Sequence, residues 1–377
     1  MAKVAAKPRK EGGIVVTYSP PEQGYADSHE NATRIEIGKS LAALKGFEFA
    51  GEYDPSARHD GPVYFVPSDA LPIDTGLELG IYTENDLFGG IVPHAFAATK
   101  AITHTLVDPD AHAPAGWSHG FGGRVRAAVL MGFTAFGLED ARRAGAKLLE
   151  RGPVRIKPVR EAGGRGQFVA SAEADLLATL DAMDPSELAC SGVVLEENLS
   201  EVTTYSVGRV RVADLLASYY GCQRLTPDSS GTAVYGGSDL AVVRGNFEAL
   251  LQLDLPEDVR LAVVNACAYD CAAMEFFPGF FASRRNYDVA SGFDAAGKLR
   301  CGVLEQSWRI GGASGAEIAA LEAFRREPDR QFVRASTFEI YGESEPPPRN
   351  ATIHFRGTDE RVGMITKYAL IDHDHGR

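Results

Sequence analysis

Residues 154–166 read VRIKPVREAGGRG, a pattern that indicates a strand followed by a glycine-rich loop. Apolar and basic residues alternate over the first four positions, as in a half-buried strand that ends at Lys157. Gly163, Gly164 and Gly166 lie just beyond. Glycine lets backbone N–H groups approach an anion, and a lysine adds a point charge for phosphate oxygens. A solvated surface hairpin has the same composition, so this segment alone leaves both interpretations open.

The sequence on both sides completes a small α/β unit. Upstream, residues 138–149 (LEDARRAGAKLL) have the apolar spacing of an amphipathic helix. Downstream, residues 172–183 form a second predicted helix, with Ser171 in position to cap it. Residues 192–195 (GVVL) then read as a buried strand. This order predicts one compact lobe, which we place at residues 126–199.

Two glutamates end that last strand, in the run Glu196-Glu197-Asn198-Leu199. An extended backbone here offers a carbonyl and an N–H group to the edge of an adenine, while Leu199 packs on the ring. The alternative is an acidic strand end that faces water.

A second polar motif, LEQSWRIGG, spans residues 304–312. On a strand, Glu305, Ser307 and Arg309 point to the same face. A carboxylate suits the hard cation Mg²⁺, and a guanidinium suits phosphate oxygens. The motif therefore favours a site for a metal-bound triphosphate, with a surface salt bridge between Glu305 and Arg309 as the alternative.

The N-terminal part of the chain alternates predicted strands and helices. After a disordered basic tail over residues 1–12, we expect an α/β lobe with a mainly parallel sheet over residues 13–125. Its predicted strands are 13–19 and 62–67, and its predicted helices are 31–45 and 94–106.

The C-terminal part has longer strands. Residues 200–330 form a predicted lobe with antiparallel strands over 203–243, a hairpin over 288–305, and helices over 257–274 and 315–325. Residues 331–377 follow as a strand-rich C-terminal extension.

Taken in order, these segments resemble the ATP-grasp superfamily, which includes biotin carboxylase, D-alanine–D-alanine ligase and glutathione synthetase. The resemblance covers about residues 90–325. It implies an α/β chain with an N-terminal α/β domain, a small central lobe and a C-terminal mixed-sheet lobe. It also implies that ATP lies between the last two lobes with Mg²⁺, or alternatively Mn²⁺.

The resemblance carries particular roles onto this sequence. The lysine that follows the first lobe in the family corresponds to Lys100, in AATKAITH. The closing motif acidic–x–Asn–x–Arg is similar to residues 305–309, and it implies that Glu305 and Arg309 act in catalysis with Lys157. The implied nucleotide-binding residues are Lys100, Lys157, Gly163, Gly164, Gly166, Glu196, Glu197 and Leu199.

The implied metal ligands are Asp288, Glu305 and Ser307. Ser307 stands where an asparagine is usual in the family. Asp288 matches the acidic residue on the preceding strand best, and Asp294, in the predicted hairpin turn, is the alternative.

The activity that the resemblance implies is a carboxylate–amine ligase, or a carboxylate–thiol ligase. ATP would activate a small carboxylic acid as an acyl phosphate, which an amine then attacks. One alternative is a small-molecule kinase on the same fold. The other is a nucleotide-binding protein without catalysis, which Ser307 favours and Glu305 with Arg309 opposes.

Bulk composition narrows the class of protein. The formal net charge of −13 argues against general binding of nucleic acid or of an anionic membrane. No stretch is long and apolar enough for a membrane span or a signal peptide, and the five cysteines are scattered. We therefore expect a cytoplasmic protein. The resemblance implies that its partners are small carboxylates and amines, and the sequence leaves a homodimer open.

Other polar residues are weaker candidates. Four arginines of the C-terminal part are candidates for binding phosphate or a substrate carboxylate: Arg224, Arg244, Arg284 and Arg285. The loop 19–31 borders the expected ligand crevice of the first lobe, so Ser28, His29 and Glu30 are candidates for substrate contacts.

Overall fold

The N-terminal region of the computed structural model is built on a small parallel sheet. The structure describes residues 12–20, 28–160, 166–343 and 345–372. The elements of this region are β1 (Ile14–Tyr18), α1 (His29–Lys45), β2 (Glu48–Glu52), β3 (Val63–Pro67), β4 (Leu71–Pro72), α2 (Ile73–Glu78), β5 (Gly90–Val92), β6 (Thr105–Leu106) and α3 (His119–Val125). Strand β1 pairs in parallel with β2 and β3, which confirms the predicted α/β lobe.

Helix α1 begins and ends at residues suited to those positions. The Ser28 side chain accepts a hydrogen bond from the Asn31 N–H group, which caps the first turn. Gly46 ends the helix with a left-handed φ of 68°, a conformation that glycine adopts without strain. The buried side of α1, which includes Ile37 and Leu41, packs into a core shared with the C-terminal sheet.

The helix predicted over residues 94–106 is wrong. Two short 3-10 helices, Ala95–Ala98 and Lys100–Thr103, replace it, because Thr99 between them is extended. The Gln306 side chain donates from Nε2 to the carbonyls of Ala97 and Thr99, at 2.9 and 2.7 Å. The Ala97 carbonyl therefore binds the C-terminal region, and the Thr99 carbonyl accepts from Gln306 as well as from the Ile102 N–H group of the next 3-10 turn.

The central lobe has the predicted order of elements. They are β7 (Gly132–Ala135), α4 (Leu138–Leu149), β8 (Val154–Pro158), β9 (Phe168–Ala170), α5 (Glu173–Asp181), α6 (Pro185–Ser191) and β10 (Val193–Glu197). The strands form a sheet in the order β6-β7-β10-β8-β9, and the apolar sides of α4 and α5 pack against it. Ser171 does not cap α5: the cap residue is Ala172, and the Asp175 carboxylate accepts from the N–H groups of both.

One large sheet organises the rest of the chain. Its region contains β11 (Ser200–Val212), β12 (Leu215–Pro227), β13 (Ala233–Arg244), α7 (Phe247–Leu251), α8 (Glu257–Phe276), β14 (Phe281–Ala282), β15 (Arg284–Phe293), β16 (Leu299–Ser307), α9 (Ser314–Arg326), β17 (Phe332–Tyr341), β18 (Thr352–Asp359) and β19 (Gly363–Ile371). Eight of these strands pair in the order β16-β15-β11-β12-β13-β17-β19-β18. The strands after residue 331 thus continue the sheet of the C-terminal lobe.

Helices pack on the large sheet in two separate cores. Helix α8 contributes Ala266, Tyr269 and Ala273 to one core, and α9 contributes Ala320 and Leu321 to the other, together with α1. Within the described part of the chain, no helix is long and apolar enough to cross a membrane.

Candidate functional site

Asp288 and Glu305 lie directly opposite each other on the antiparallel strands β15 and β16. The pairing shifts by one residue next to them, because Val289 pairs with Val303 while Asp288 pairs with Glu305. This β-bulge at Leu304 moves Glu305 onto the same face as Asp288. In a regular hairpin Glu305 would lie opposite Tyr287, a core residue, and would point inward. The bulge therefore creates a pair of neighbouring carboxylates.

Polar side chains hold the Asp288 carboxylate in place. Its Oδ1 accepts from Asn286 Nδ2 at 3.0 Å and from the Ser206 hydroxyl at 3.4 Å. Burial and, after it, the charge of Glu305 raise the pKa of Asp288 to about 6, although hydrogen bonds from Gln223 and Asn286 act in the opposite direction. Asp294, the alternative ligand, instead accepts from the N–H groups of Ala296 and Lys298 in the hairpin turn.

The donor set suits a hard divalent cation. Mg²⁺ is usually held by one or two protein carboxylates together with phosphate oxygens of the substrate. Asp288 and Glu305 provide such a pair, and a cation between them would relieve their repulsion. In the described ranges there is no group of three or more His, Cys, Asp or Glu side chains that would hold a metal by itself. The predicted third ligand, Ser307, lies opposite Asn286, and its hydroxyl accepts from Arg284 at 3.3 Å.

Asp288 gives a stability prediction with a defined sign. Its pKa rises from 3.8 to about 6 on folding, so the folded protein loses stability as pH rises through that window. In the absence of divalent cations, Asp288→Asn should therefore melt about 1–2 °C above the wild type near pH 8. The gain should shrink near pH 5, where Asp288 is largely protonated. A variant that melts lower than the wild type at both pH values in EDTA would contradict the prediction.

Lys100 is bound to the same carboxylate pair. It lies on the second 3-10 helix, it is buried, and its Nζ is 3.2 Å from Glu305 Oε2. The two Gln306 hydrogen bonds to the preceding turn hold this segment against β16. The structure thus places Lys100 beside Glu305, although more than 200 residues separate them.

Lys157 belongs to a buried polar network of the central lobe. Only 3% of its surface is exposed, and its Nζ lies 2.7 Å from Glu196 Oε1. The other carboxylate oxygen of Glu196 is 3.2 Å from His104 Nε2. Burial alone would raise the pKa of Glu196, but Lys157 and His104 lower it to about 2. Sequence analysis missed His104, because nothing local links it to a glutamate 92 residues away.

The predicted hinge connects the central lobe to the C-terminal hairpin. Glu197 Oε1 accepts from the Met131 N–H group at 2.9 Å and from Nη2 of Arg300 at 3.1 Å. Leu199 is buried with Leu130 and Ala290, and Leu304 packs against this group. The side chain of Glu197 therefore links Met131 of the central lobe to Arg300 of the C-terminal hairpin.

The backbone at this strand end leaves one donor open. The N–H groups of Glu197 and Asn198 donate to the carbonyls of Met131 and Pro153. No hydrogen bond from the Leu199 N–H group is found among the residues that the structure describes. A backbone N–H group without a protein acceptor has the character that an adenine edge requires.

Arg309 lies just beyond the end of β16. Trp308 is buried against Phe280, at 4.0 Å between ring centroids, and this directs the next residue outward. The Arg309 side chain is 39% exposed and its Nε is 3.6 Å from Asp69 Oδ1, in the N-terminal region. Such an exposed pair contributes little to stability, so Arg309 is able to exchange Asp69 for a ligand.

The remaining candidates divide into three groups. Gly163 and Gly164 lie outside the described residues, whereas Gly166 has a left-handed φ of 63°. Ser28 caps α1, the His29 N–H group donates to Asp359, and Glu30 is exposed in the first turn. The four arginines are bound to internal partners: Arg284 to Glu317, Arg285 to Asp270, Arg224 to Asp239 and to the Thr337 carbonyl, and Arg244 to the Phe324 carbonyl. Arg284 and Arg285 are also buried, so neither of these two is open to a phosphate or a substrate in this structure.

Comparison with known proteins identifies the fold. A model of the family described as protein of unknown function (DUF3182) matches residues 17–369. No curated protein matches the chain. The ADP complex of N5-carboxyaminoimidazole ribonucleotide synthetase, PurK, is 12% identical, with a TM-score of 0.53 over 97% of this chain and 93% of that one.

Two further solved structures agree with this result. Biotin carboxylase from Campylobacter jejuni is 12% identical, with a TM-score of 0.52 over 96% of this chain and 88% of that one. N5-carboxyaminoimidazole synthase from Aspergillus clavatus is also 12% identical, with a TM-score of 0.51 over 96% and 94%. At this level of identity the likeness establishes the fold alone. It confirms the predicted ATP-grasp fold.

Proposed function

The chain belongs to the DUF3182 family, and we propose that it is an ATP- and Mg²⁺-dependent ligase that activates a small carboxylic acid for attack by an amine. The observation that carries this proposal is the carboxylate pair of Asp288 and Glu305 with Lys100 at 3.2 Å. This group lies on the large sheet, near the hinge that joins it to the central lobe. The solved structures of the same fold include complexes with ATP and with ADP.

Each part of the proposed reaction is assigned to residues of this chain. The Leu199 N–H group and the apolar surface around it bind adenine, and Lys100 and Lys157 face the phosphates. Lys157 does so after its ammonium group turns from Glu196 toward the nucleotide. Asp288 and Glu305 would hold Mg²⁺, which would neutralise part of the charge on the phosphates.

The chemistry then follows from position and charge. A carboxylate oxygen of the acid attacks the γ-phosphorus, the bond to the β–γ bridging oxygen breaks, and ADP leaves. Arg309 stabilises the charge on the transferring phosphoryl oxygens, which take the place of Asp69, its ion-pair partner in this structure. An amine nitrogen next attacks the acyl carbon, phosphate leaves, and the amine proton passes to solvent. The products are ADP, phosphate and an amide.

A protein that binds nucleotide without catalysis is the second candidate. The observation that favours it is the Ser307 hydroxyl, which is engaged by Arg284 and is a weaker ligand for Mg²⁺ than a carboxylate or amide oxygen. A ligase, a kinase and a binding protein differ in the products that they form in the presence of ATP, so one assay distinguishes them.

That assay is ADP release in the presence of acids, Mg²⁺ and hydroxylamine. Hydroxylamine traps an acyl phosphate as a hydroxamate, so a ligase should form ADP and hydroxamate in equal amounts. A kinase would form ADP with a stable phosphorylated product and no hydroxamate. ATP·Mg²⁺ should also raise the melting temperature, because a ligand at one hundred times its dissociation constant adds about 2.7 kcal/mol. NAD serves as the control ligand. If ATP·Mg²⁺ does not raise the melting temperature, none of the three functions is supported.

A further inference from the structure

Three buried side chains of the central lobe and its border form one charged group, which the proposed reaction has to separate. Glu196 lies between Lys157, at 2.7 Å from one carboxylate oxygen, and His104, at 3.2 Å from the other. All three residues are at most 3% exposed. When Lys157 turns toward the phosphates of a nucleotide, Glu196 keeps its negative charge and loses its ammonium partner. A buried carboxylate without a partner is costly, so another group has to neutralise it.

His104 is the basic group that remains next to this carboxylate. Among the residues that the structure describes, Lys157 and His104 are the two basic side chains within ion-pair distance of Glu196. An imidazole is the side chain that most commonly gains its charge between pH 5 and 8. A nearby negative charge favours the protonated ring, and a nearby positive charge opposes it. Movement of Lys157 away from Glu196 therefore favours the imidazolium form of His104.

The position of the His104 ring does not depend on Lys157. His104 lies between the second 3-10 helix and β6, and the Thr134 hydroxyl of β7 donates to the Ala101 carbonyl of that helix, at 2.7 Å. A Cβ at Gly132 of β7 would lie 2.8 Å from His104 Nε2, so the ring occupies the space that a side chain at this position would fill. Packing against β7 thus positions Nε2 at Glu196.

The other charged side chains on the surrounding elements have different partners or face solvent. Lys100, on the same 3-10 helix, is 3.2 Å from Glu305 of β16. On β10, the Glu197 carboxylate accepts from Met131 and Arg300. On α3, His119 and Arg124 are exposed, and β6 and β7 contain no charged residue. The charges that face the ring are therefore those of the buried group itself.

We propose that His104 takes up one proton from solvent when a nucleotide draws Lys157 away from Glu196, so that the imidazolium replaces the ammonium group as counterion of the buried carboxylate. His104 is thereby a positioning residue, because it acts on the nucleotide only through the freedom of Lys157 to move. The proton returns to solvent when the nucleotide leaves. The inference rests on the proposed function for one point only, namely that Lys157 binds the phosphates.

The number of protons taken up by the wild type is the first test. ADP and adenosine are titrated into the full chain near pH 7.5, by calorimetry in two buffers with different heats of ionisation. A terminal phosphate has its second pKa at about 6, so ADP itself brings almost no proton at this pH. ADP should take up about one proton per site, and adenosine, which has no phosphate to attract Lys157, should take up none. No proton uptake with ADP would overturn the inference.

His104→Gln separates the charge of the ring from its hydrogen bond. Glutamine is able to donate to Glu196, but it cannot carry a positive charge. Near pH 7 the variant should bind ADP about tenfold more weakly than the wild type, without proton uptake, and it should bind adenosine equally well. From pH 7 to pH 8 the ADP affinity of the wild type should fall by up to about tenfold, the limit for one proton, and that of the variant should stay constant. His119→Gln, the same change at an exposed histidine of α3, is the matched control and should behave like the wild type.

The double variant His104→Gln/Glu196→Gln tests the reason for this loss. It removes the buried carboxylate, so nothing has to be neutralised when Lys157 moves and nothing holds Lys157 away from the phosphates. It should bind ADP at least as tightly as the wild type, equally at pH 7 and pH 8. A double variant that binds ADP as weakly as His104→Gln would mean that the ring serves only the packing beside Gly132, and the inference would fail.

ADP binding also distinguishes this inference from the proposed function. If the folded wild type binds neither ADP nor ATP, the nucleotide-dependent function and the inference fail together. If the wild type and His104→Gln bind ADP equally at both pH values, the inference fails alone, and the hydroxamate assay still decides the ligase function.

Discussion

Glu305→Gln should reduce Mg²⁺-dependent ADP release roughly 100- to 1,000-fold while it weakens nucleotide binding less than about tenfold. The amide keeps the size of the side chain, but it removes half of the carboxylate pair with Asp288. A neutral amide is a poor ligand for Mg²⁺. It also ends the ion pair with Lys100, which then lacks its anionic neighbour beside the phosphates. The proposed adenine contacts are made by the backbone N–H group of Leu199 and not by the Glu305 side chain, so adenine binding should persist.

The measurement compares three proteins under the same conditions. ADP release is followed at saturating ATP with increasing Mg²⁺, and ATP affinity is measured by titration for the wild type, Glu305→Gln and Glu257→Gln. Glu257 is exposed at the start of α8 and is the matched control for the same chemical change. Full Mg²⁺-dependent turnover by Glu305→Gln would place the metal elsewhere. Equal losses of turnover and of ATP affinity would assign Glu305 to nucleotide binding instead of chemistry.

Local patterns were sufficient to predict most of the elements that build the site. The alternation in residues 154–157 and the apolar run at 192–195 predict β8 and β10, which pair in the central sheet. The order of these two strands, the glycine loop and the closing motif was sufficient to predict the ATP-grasp fold. The helix at residues 94–106 failed because its carbonyls bind Gln306, a residue far away in sequence.

The side-chain pairings of the site were beyond local patterns. The predicted common face of Glu305, Ser307 and Arg309 assumed a strand through Arg309, whereas β16 ends at Ser307 and Arg309 reaches toward Asp69. The opposition of Asp288 and Glu305 depends on a one-residue bulge, which hydrophobic periodicity does not reveal. Asn286 was missed as well, although its position two residues before Asp288 on a strand is a signal that both share a face.

Glu317→Gln should have the largest effect on stability, a loss of about 3–5 kcal/mol in the free energy of unfolding. Glu317 is 0% exposed and accepts three hydrogen bonds from Arg284, at 2.8–3.1 Å, and one from the Tyr219 hydroxyl at 2.6 Å. Arg284 is itself only 1% exposed. Without the carboxylate charge, its buried guanidinium would lose the only carboxylate to which it donates hydrogen bonds among the described residues, and breaking a buried ion pair on one side is strongly destabilising.

The same pair supports the candidate site, so its loss should affect activity in a separable way. Arg284 also donates to the Ser307 carbonyl, at 3.1 Å, and to the Arg309 carbonyl, and it thereby fixes the end of β16 next to Glu305. The double variant Arg284→Met/Glu317→Leu removes both charges and should recover most of the lost stability. It should nevertheless release ADP more slowly per folded molecule, because the backbone of Ser307 and Arg309 is no longer held.

Equilibrium unfolding in urea and ADP release by the folded fraction measure the two effects independently. If the double variant regains both stability and full turnover, Arg284 serves the fold alone and does not position the closing motif. If Glu317→Gln costs less than about 1 kcal/mol, the buried guanidinium has another way to be neutralised, and the carboxylate of Glu317 is not what stabilises this end of the sheet. The expected result is an unstable single variant and a stable but slow double variant. It would mean that the buried ion pair between α9 and the large sheet fixes the position of the Arg309 backbone.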